Sequence, residues 1–217
     1  MMPQQQIEPA RPPAIDLPVA KRYPRFAAYV DGLPQGLDSH PECITKASLA
    51  LMLVRGIPQP PPSPQEVPDP LRRYLSAPPS GMWVPEVEAM ALSLLVADHY
   101  RMTDRQHREW IKARNRGFFS SLMYRAVMSF LSPQSLMTKA TARWAAVHRG
   151  STFTVKFVGP RDVDGILTFP HRLFPKIALE QLTAVFAAAL ENSNAHNTEV
   201  VLAEATDTRG VFHGRWE

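Results

Sequence analysis

The sequence predicts an α+β fold, with an N-terminal helical part followed by a β-β-α-β-β antiparallel sheet and one covering helix. Three observations carry this. Up to Gly150, apolar residues recur mainly at spacings of three and four, the helical period. After Gly150 they gather in short runs of β-branched and aromatic residues bounded by turn signals. A single strongly apolar helical segment, opened by Pro175, divides those runs into two pairs.

Composition sets the frame. The 217 residues are 45% apolar and 20% charged, ordinary for one globular domain and too apolar for general disorder. Residues 21–217 are expected to form that domain. Residues 1–20, with Gln4, Gln5, Gln6, Pro9, Pro12, Pro13 and Pro18, bury too little apolar surface to offset ordering entropy and read as a disordered proline-rich tail. Met1 to Lys21 holds no apolar run of the kind a secretory leader needs, and the richest apolar stretch, Ala184 to Leu190, is too short to cross a bilayer. A soluble cytoplasmic protein without membrane contact is the expectation. Cys43 is the only cysteine, which excludes an intramolecular disulfide and a thiolate metal cage and fits a reducing compartment. It reads as a small buried apolar residue or, as the alternative, a reactive thiol. The net charge of +4 permits contact with nucleic acid without requiring it.

The elements follow in order. Structure is expected to begin at Tyr23, Phe26 and Tyr29 and to turn at Gly32-Leu33-Pro34-Gln35-Gly36. Ser39 or His40 as cap, Pro41 at the first helical position and Glu42 in the first turn predict a helix ended by Gly56 and Pro58. From Pro58 to Pro70 there are seven prolines, so residues 58–70 read as an extended proline-rich loop, or alternatively as a docking segment for an aromatic groove. Pro85 opens a helix in which Val87, Met90, Ala91, Leu94 and Leu95 make a one-sided apolar stripe. The acids Glu86 and Glu88 at its start complement the helix dipole. A polar helix runs from a cap at Thr103 to a break at Gly117. Another holds Phe118, Leu122, Val127 and Leu131, and Ser132-Pro133 caps the next, to about His148.

Beyond Gly150, Phe153 to Val158 and Gly165 to Phe169 read as a hairpin around Gly159-Pro160-Arg161-Asp162. Pro175 opens the apolar helix with Ile177, Leu182, Val185, Phe186 and Leu190 on one face. Glu199 to Ala205 and Gly210 to Trp216 then pair around Asp207-Thr208-Arg209, and the strand ending at Trp216 is expected at an edge of the sheet, covered either by its own domain or by strand pairing with a second copy in a homodimer.

No Gly-rich phosphate loop, Gly-x-Ser-x-Gly elbow or His-Glu-x-x-His is present, so a non-enzymatic protein is expected. His99 and His107 stand two turns apart, about 12 Å along a helix, too far to chelate one ion, and no metal site is expected. Trp144 and His148 are one turn apart and can face one side, lining a ligand pocket or capping a core edge. Arg101, Arg105, Arg108, Lys112, Arg114, Arg116 and Arg125 outnumber the nearby acids Asp104 and Glu109 and form either a solvated face or a basic surface for nucleic acid.

Taken together, Gly32-Leu-Pro-Gln-Gly36, Trp83-Val-Pro-Glu86, Tyr124-Arg125, Leu131-Ser-Pro133 and Trp144-x-x-x-His-Arg-Gly150 resemble a paralogous family of single-domain proteins known from myxobacteria, over roughly Tyr23 to Trp216. The element order is also similar to the heme nitric-oxide-binding and vinyl-reductase-like domains, which are small-molecule sensors. Heme-binding members of that group hold the propionates with a Tyr-x-Ser-x-Arg motif, and no segment here has that form, so no cofactor is implied. The resemblance implies a sensor or adaptor that binds a small apolar ligand or a protein partner, with Trp144, His148, Tyr124 and Arg125 as candidate ligand-binding residues. The alternative is a nucleic-acid-associated protein using the basic surface.

Overall fold

The computed structural model describes residues 17–54, 62, 64–75, 81–119, 132–193 and 195–217. Its first helices are α1 (Leu17–Arg22) and α2 (Pro24–Asp31), so helix reaches back into the segment expected as tail. Pro24 stands at the first position of α2, where its missing N–H costs nothing, and Phe26, Tyr29 and Val30 are buried. The helix expected from Pro41 is a turn instead, closed by the Cys43 N–H donating to the His40 carbonyl at 2.8 Å. Strand β1 (Ile44–Lys46) follows, and helix α3 (Ala47–Val54) starts only after it. Proline and glutamate suit a turn as well as a helix start, and β-branched Ile44 and Thr45 favour pairing.

A 3-10 turn at Pro64–Glu66 and helix α4 (Asp69–Leu75) occupy the end of the expected proline-rich loop. Asp69-Pro70 is a helix start, an acid followed by proline in the first turn. Strand β2 (Trp83–Pro85) leads into α5 (Glu86–His99), which is buried on nearly every side and not along one stripe, because α2, α3 and α4 all pack around it. Each buried polar side chain of α5 meets a partner from another element. Asp98 Oδ2 accepts the N–H groups of Arg25 at 2.8 Å and Phe26 at 3.0 Å, an anion at the N-terminus of α2. Glu88 takes the Tyr74 hydroxyl at 2.7 Å and the Arg73 guanidinium.

Helix α6 (Asp104–Phe119) continues past Gly117, since one glycine costs a helix only about 1 kcal/mol. The next helix expected from sequence falls largely outside the described residues. Helices α7 (Pro133–Thr138) and α8 (Ala140–Val147) divide at Lys139, and Ser132 Oγ caps α7 by accepting from the Ser135 N–H at 3.2 Å. His148 leaves the helix and begins the short strand β3 (His148–Arg149), which pairs with β1. Strands β2, β1 and β3 thus form a small antiparallel sheet in that order.

The main sheet contains β4 (Thr152–Gly159), β5 (Asp162–Thr168), β6 (Glu199–Ala205) and β7 (Arg209–Arg215), with helix α9 (Lys176–Glu191) between β5 and β6. This is the α+β arrangement expected. Its order β4-β5-β7-β6 is antiparallel throughout and places β7 inside, with β4 and β6 at the edges. The strand leading to Trp216 is therefore no edge, and Trp216 itself is buried. Phe186 of α9 meets Phe153 of β4 and Phe212 of β7 at ring-centre distances of 4.9 Å each, fixing the helix on the sheet. Among the described residues no helix is long and apolar enough to cross a membrane.

Candidate functional site

Between the helical part and the inner face of the main sheet lies a cavity of about 480 Å³. Its walls come from α3, α5, α6, α7, α8, α9 and strands β1, β3, β4, β5, β6 and β7, and they are mostly aliphatic and aromatic: Leu49, Leu53, Met90, Leu94, Ile111, Phe153, Leu182 and Phe186 are examples. Such a mostly apolar enclosure with a few polar points is the form of a small-molecule site. Besides Ser48, Asn115 and Arg143, the polar groups include two clusters.

One cluster is centred on His107, which is completely buried on α6. Its Nδ1 lies 3.3 Å from the Gln181 amide nitrogen and its Nε2 lies 3.0 Å from Ser93 Oγ. The amide can only donate, so the ring proton belongs on Nε2, which donates to Ser93. Burial, reinforced by the Arg25 charge and partly offset by Asp104, pushes the imidazole down to about 4, and the ring is neutral at physiological pH.

The other cluster joins Glu86, His148 and Trp144. His148 Nδ1 lies 2.8 Å from Glu86 Oε2, and the imidazole stacks on the Trp144 indole with centroids 3.9 Å apart and planes 14° apart. Trp144 Nε1–H donates to Ser151 Oγ at 3.0 Å, and the indole also touches Phe153 and Phe174. Strand β1 brings the group together: Thr45 pairs with His148, while the Cys43 carbonyl accepts the Glu86 N–H at 2.8 Å. The start of α5 is thereby held beside β3.

Trp144 and His148, spaced four apart, do meet at the cavity wall. Tyr124 and Arg125 lie outside the described residues. Arg105, Arg108, Lys112 and Arg116 follow one another at three- and four-residue spacings along one side of α6, and Arg114 stands off it. Arg105 and Arg101 are exposed, whereas Arg108 pairs with Glu180 of α9 at 2.6 Å, and Arg114 lies two residues beyond Lys112, on the opposite side of α6. Of Arg116, only its place on α6 is described. Sequence reasoning passed over Ser93 and Gln181 and weighed His107 only as a metal ligand. Its reading of Glu86 and Glu88 as dipole partners omitted the stronger signal, two carboxylates amid Val84, Val87 and Ala89, where burial demands specific partners.

No family model matches the chain, and no curated protein matches it. Solved structures do resemble it in fold. One is an oxygen-binding H-NOX domain related to soluble guanylate cyclases, in its oxygen complex, with a TM-score of 0.53, 8% identity and coverage of 79% of this chain and 93% of that one. Another, determined in probing the function of heme distortion in the H-NOX family, has a TM-score of 0.53 and 8% identity over 79% of this chain and 95% of that one. At such identity the likeness is one of fold: this chain has an H-NOX-like α+β architecture.

Proposed function

We propose that this chain is a non-enzymatic sensor or adaptor module that holds a small, largely apolar ligand between its helical part and its sheet. The observation that carries this is the apolar cavity of about 480 Å³ with its two small polar clusters. The H-NOX-like fold supports the reading, since the structures it resembles are of domains described as binding heme and oxygen. The charge on its walls does not fit heme. The histidines do not decide the matter: His107 has both ring nitrogens engaged, but His148 is bonded to Glu86 through Nδ1, an arrangement that a metal-ligating imidazole also has. Among the described lining residues the only guanidinium or ammonium group is Arg143, whereas two propionates ask for more positive charge, and Glu86 adds a buried carboxyl group. A ligand without an anionic head suits these walls.

Titration with the apolar fluorophore N-phenylnaphthylamine tests the proposal. Saturable enhancement of emission is expected in the wild type, and it is expected to be lost in Ala178→Phe, which fills the cavity from α9. Emission that rises without saturation, or that is unchanged by the variant, overturns the proposal. A Soret band on protein purified from its own host overturns the exclusion of heme.

A further inference from the structure

We propose that the cavity selects a ligand with an apolar body and a hydrogen-bond donor, a hydroxyl or amino group, at one end, and that Glu86 receives that donor. The inference rests on the reading of the cavity as a ligand site and adds the chemistry of the ligand's head.

Glu86 lies in the first turn of α5, is 1% exposed and lines the cavity. Its two oxygens are unequal. Oε2 is bonded to His148 Nδ1 at 2.8 Å, whereas Oε1 is fully buried and has no hydrogen-bond partner among the described residues. A carboxylate oxygen only accepts, and leaving one buried and bare is costly. The donors of neighbouring side chains are committed elsewhere. Thr45 Oγ1 donates to the Val147 carbonyl at 3.0 Å, Tyr29 Oη to the Leu173 carbonyl at 2.8 Å, and Trp144 Nε1 to Ser151 Oγ at 3.0 Å. The other buried unpartnered side-chain atoms among the described residues, such as Tyr23 Oη and His99 Nδ1, belong to residues away from the cavity wall. Among the described residues, only at Glu86 do an unmet acceptor and an apolar enclosure coincide.

His148 contributes by position. Its bond to Oε2 and its stacking on Trp144 hold the carboxyl group in place, so a donor that reaches Oε1, which has no accessible surface, meets an ordered acceptor once the packing over that oxygen shifts. The apolar body of the ligand then packs against Trp144, Phe153 and Phe174. A hydroxyl makes a charge-assisted hydrogen bond to Oε1, an ammonium makes an ion pair, and a carboxylate head is repelled.

Calorimetric titration of the full chain with decanol and methyl nonyl ether tests this directly. The two molecules have the same number of heavy atoms and differ in the donor. Decanol is expected to bind about tenfold or more tightly than the ether, with decanoate the weakest, and Glu86→Leu is expected to abolish the preference for decanol over the ether. The wild-type comparison decides the matter even if that variant fails to fold. Decylamine distinguishes the two heads: tighter binding than decanol assigns an amine, weaker binding a hydroxyl, and both agree with the proposal. Equal affinity of the wild type for decanol and the ether overturns the role of Glu86 and leaves the cavity reading intact. Failure of all four molecules to bind overturns both.

Discussion

A histidine with no exposed surface and two neutral partners is a pH-dependent liability, and His107 is such a residue. Unfolded, its imidazole takes a proton near pH 6.5; folded, near 4. Between those values the unfolded chain binds more protons, so stability is full above about pH 6.5 and declines as the pH falls toward 4. The loss from pH 7 to pH 5 is expected to be about 2 kcal/mol, visible as a falling Tm, and His107→Gln is expected to flatten that slope while lowering Tm at pH 7. An unchanged slope in the variant removes His107 as its origin. Gly150 is constrained by space instead. Its φ is +80°, and a Cβ there would meet Cys43 Sγ at 2.5 Å and the Glu42 carbonyl oxygen at 2.8 Å. Gly150→Ala is expected to cost about 2 kcal/mol or more, read from urea denaturation, with restoration by no substitution at Cys43 alone because the carbonyl still blocks the site. At this scale the pairing of Trp144 with His148 was suggested by their four-residue spacing, although His148 stands just past the end of α8, in β3. The pairings of Glu86 and His107 were not legible, because their partners His148, Ser93 and Gln181 are set by how distant segments pack.

The same division holds for elements. Strands β4 to β7 announce themselves by seven or eight residues of β-type sequence, and α9 by its apolar face. Strands β1 and β2 hold three residues each and β3 two, too few for an alternation to be read, so the small sheet that positions the Glu86 and His148 cluster is invisible from sequence. The order of the main sheet was also beyond reach, because chain order does not say that β7 inserts between β5 and β6. That order has an energetic consequence. Phe212, on the internal strand β7, is 2% exposed and packs on Phe186, whereas Val201, on the edge strand β6, is 43% exposed. Phe212→Ala is therefore expected to cost about 3 to 5 kcal/mol and Val201→Ala within about 0.5 kcal/mol. Equal losses in paired denaturation curves would contradict the placement of β7.

For the whole molecule, the helical and sheet-containing parts are legible as parts, but the space between them is not. An inward-facing pattern on α5, α9 and β7 says that these surfaces are covered; it does not say that they stop short of one another and leave about 480 Å³. Because the walls come from both parts, from Thr45 to Gly214, a molecule bound there contacts residues throughout the chain and binds only when both parts are folded together. Ligand present at a hundredfold its Kd should then stabilise the whole chain by about 2.7 kcal/mol. For a chain of this length that corresponds to a rise in Tm of roughly 5 to 10 °C in one cooperative transition. Scanning calorimetry with decanol tests this, and Ala178→Phe, which occupies the space from α9, is expected to lose most of the shift. If two transitions appear and decanol moves only one, the parts fold independently and the ligand site belongs to one of them.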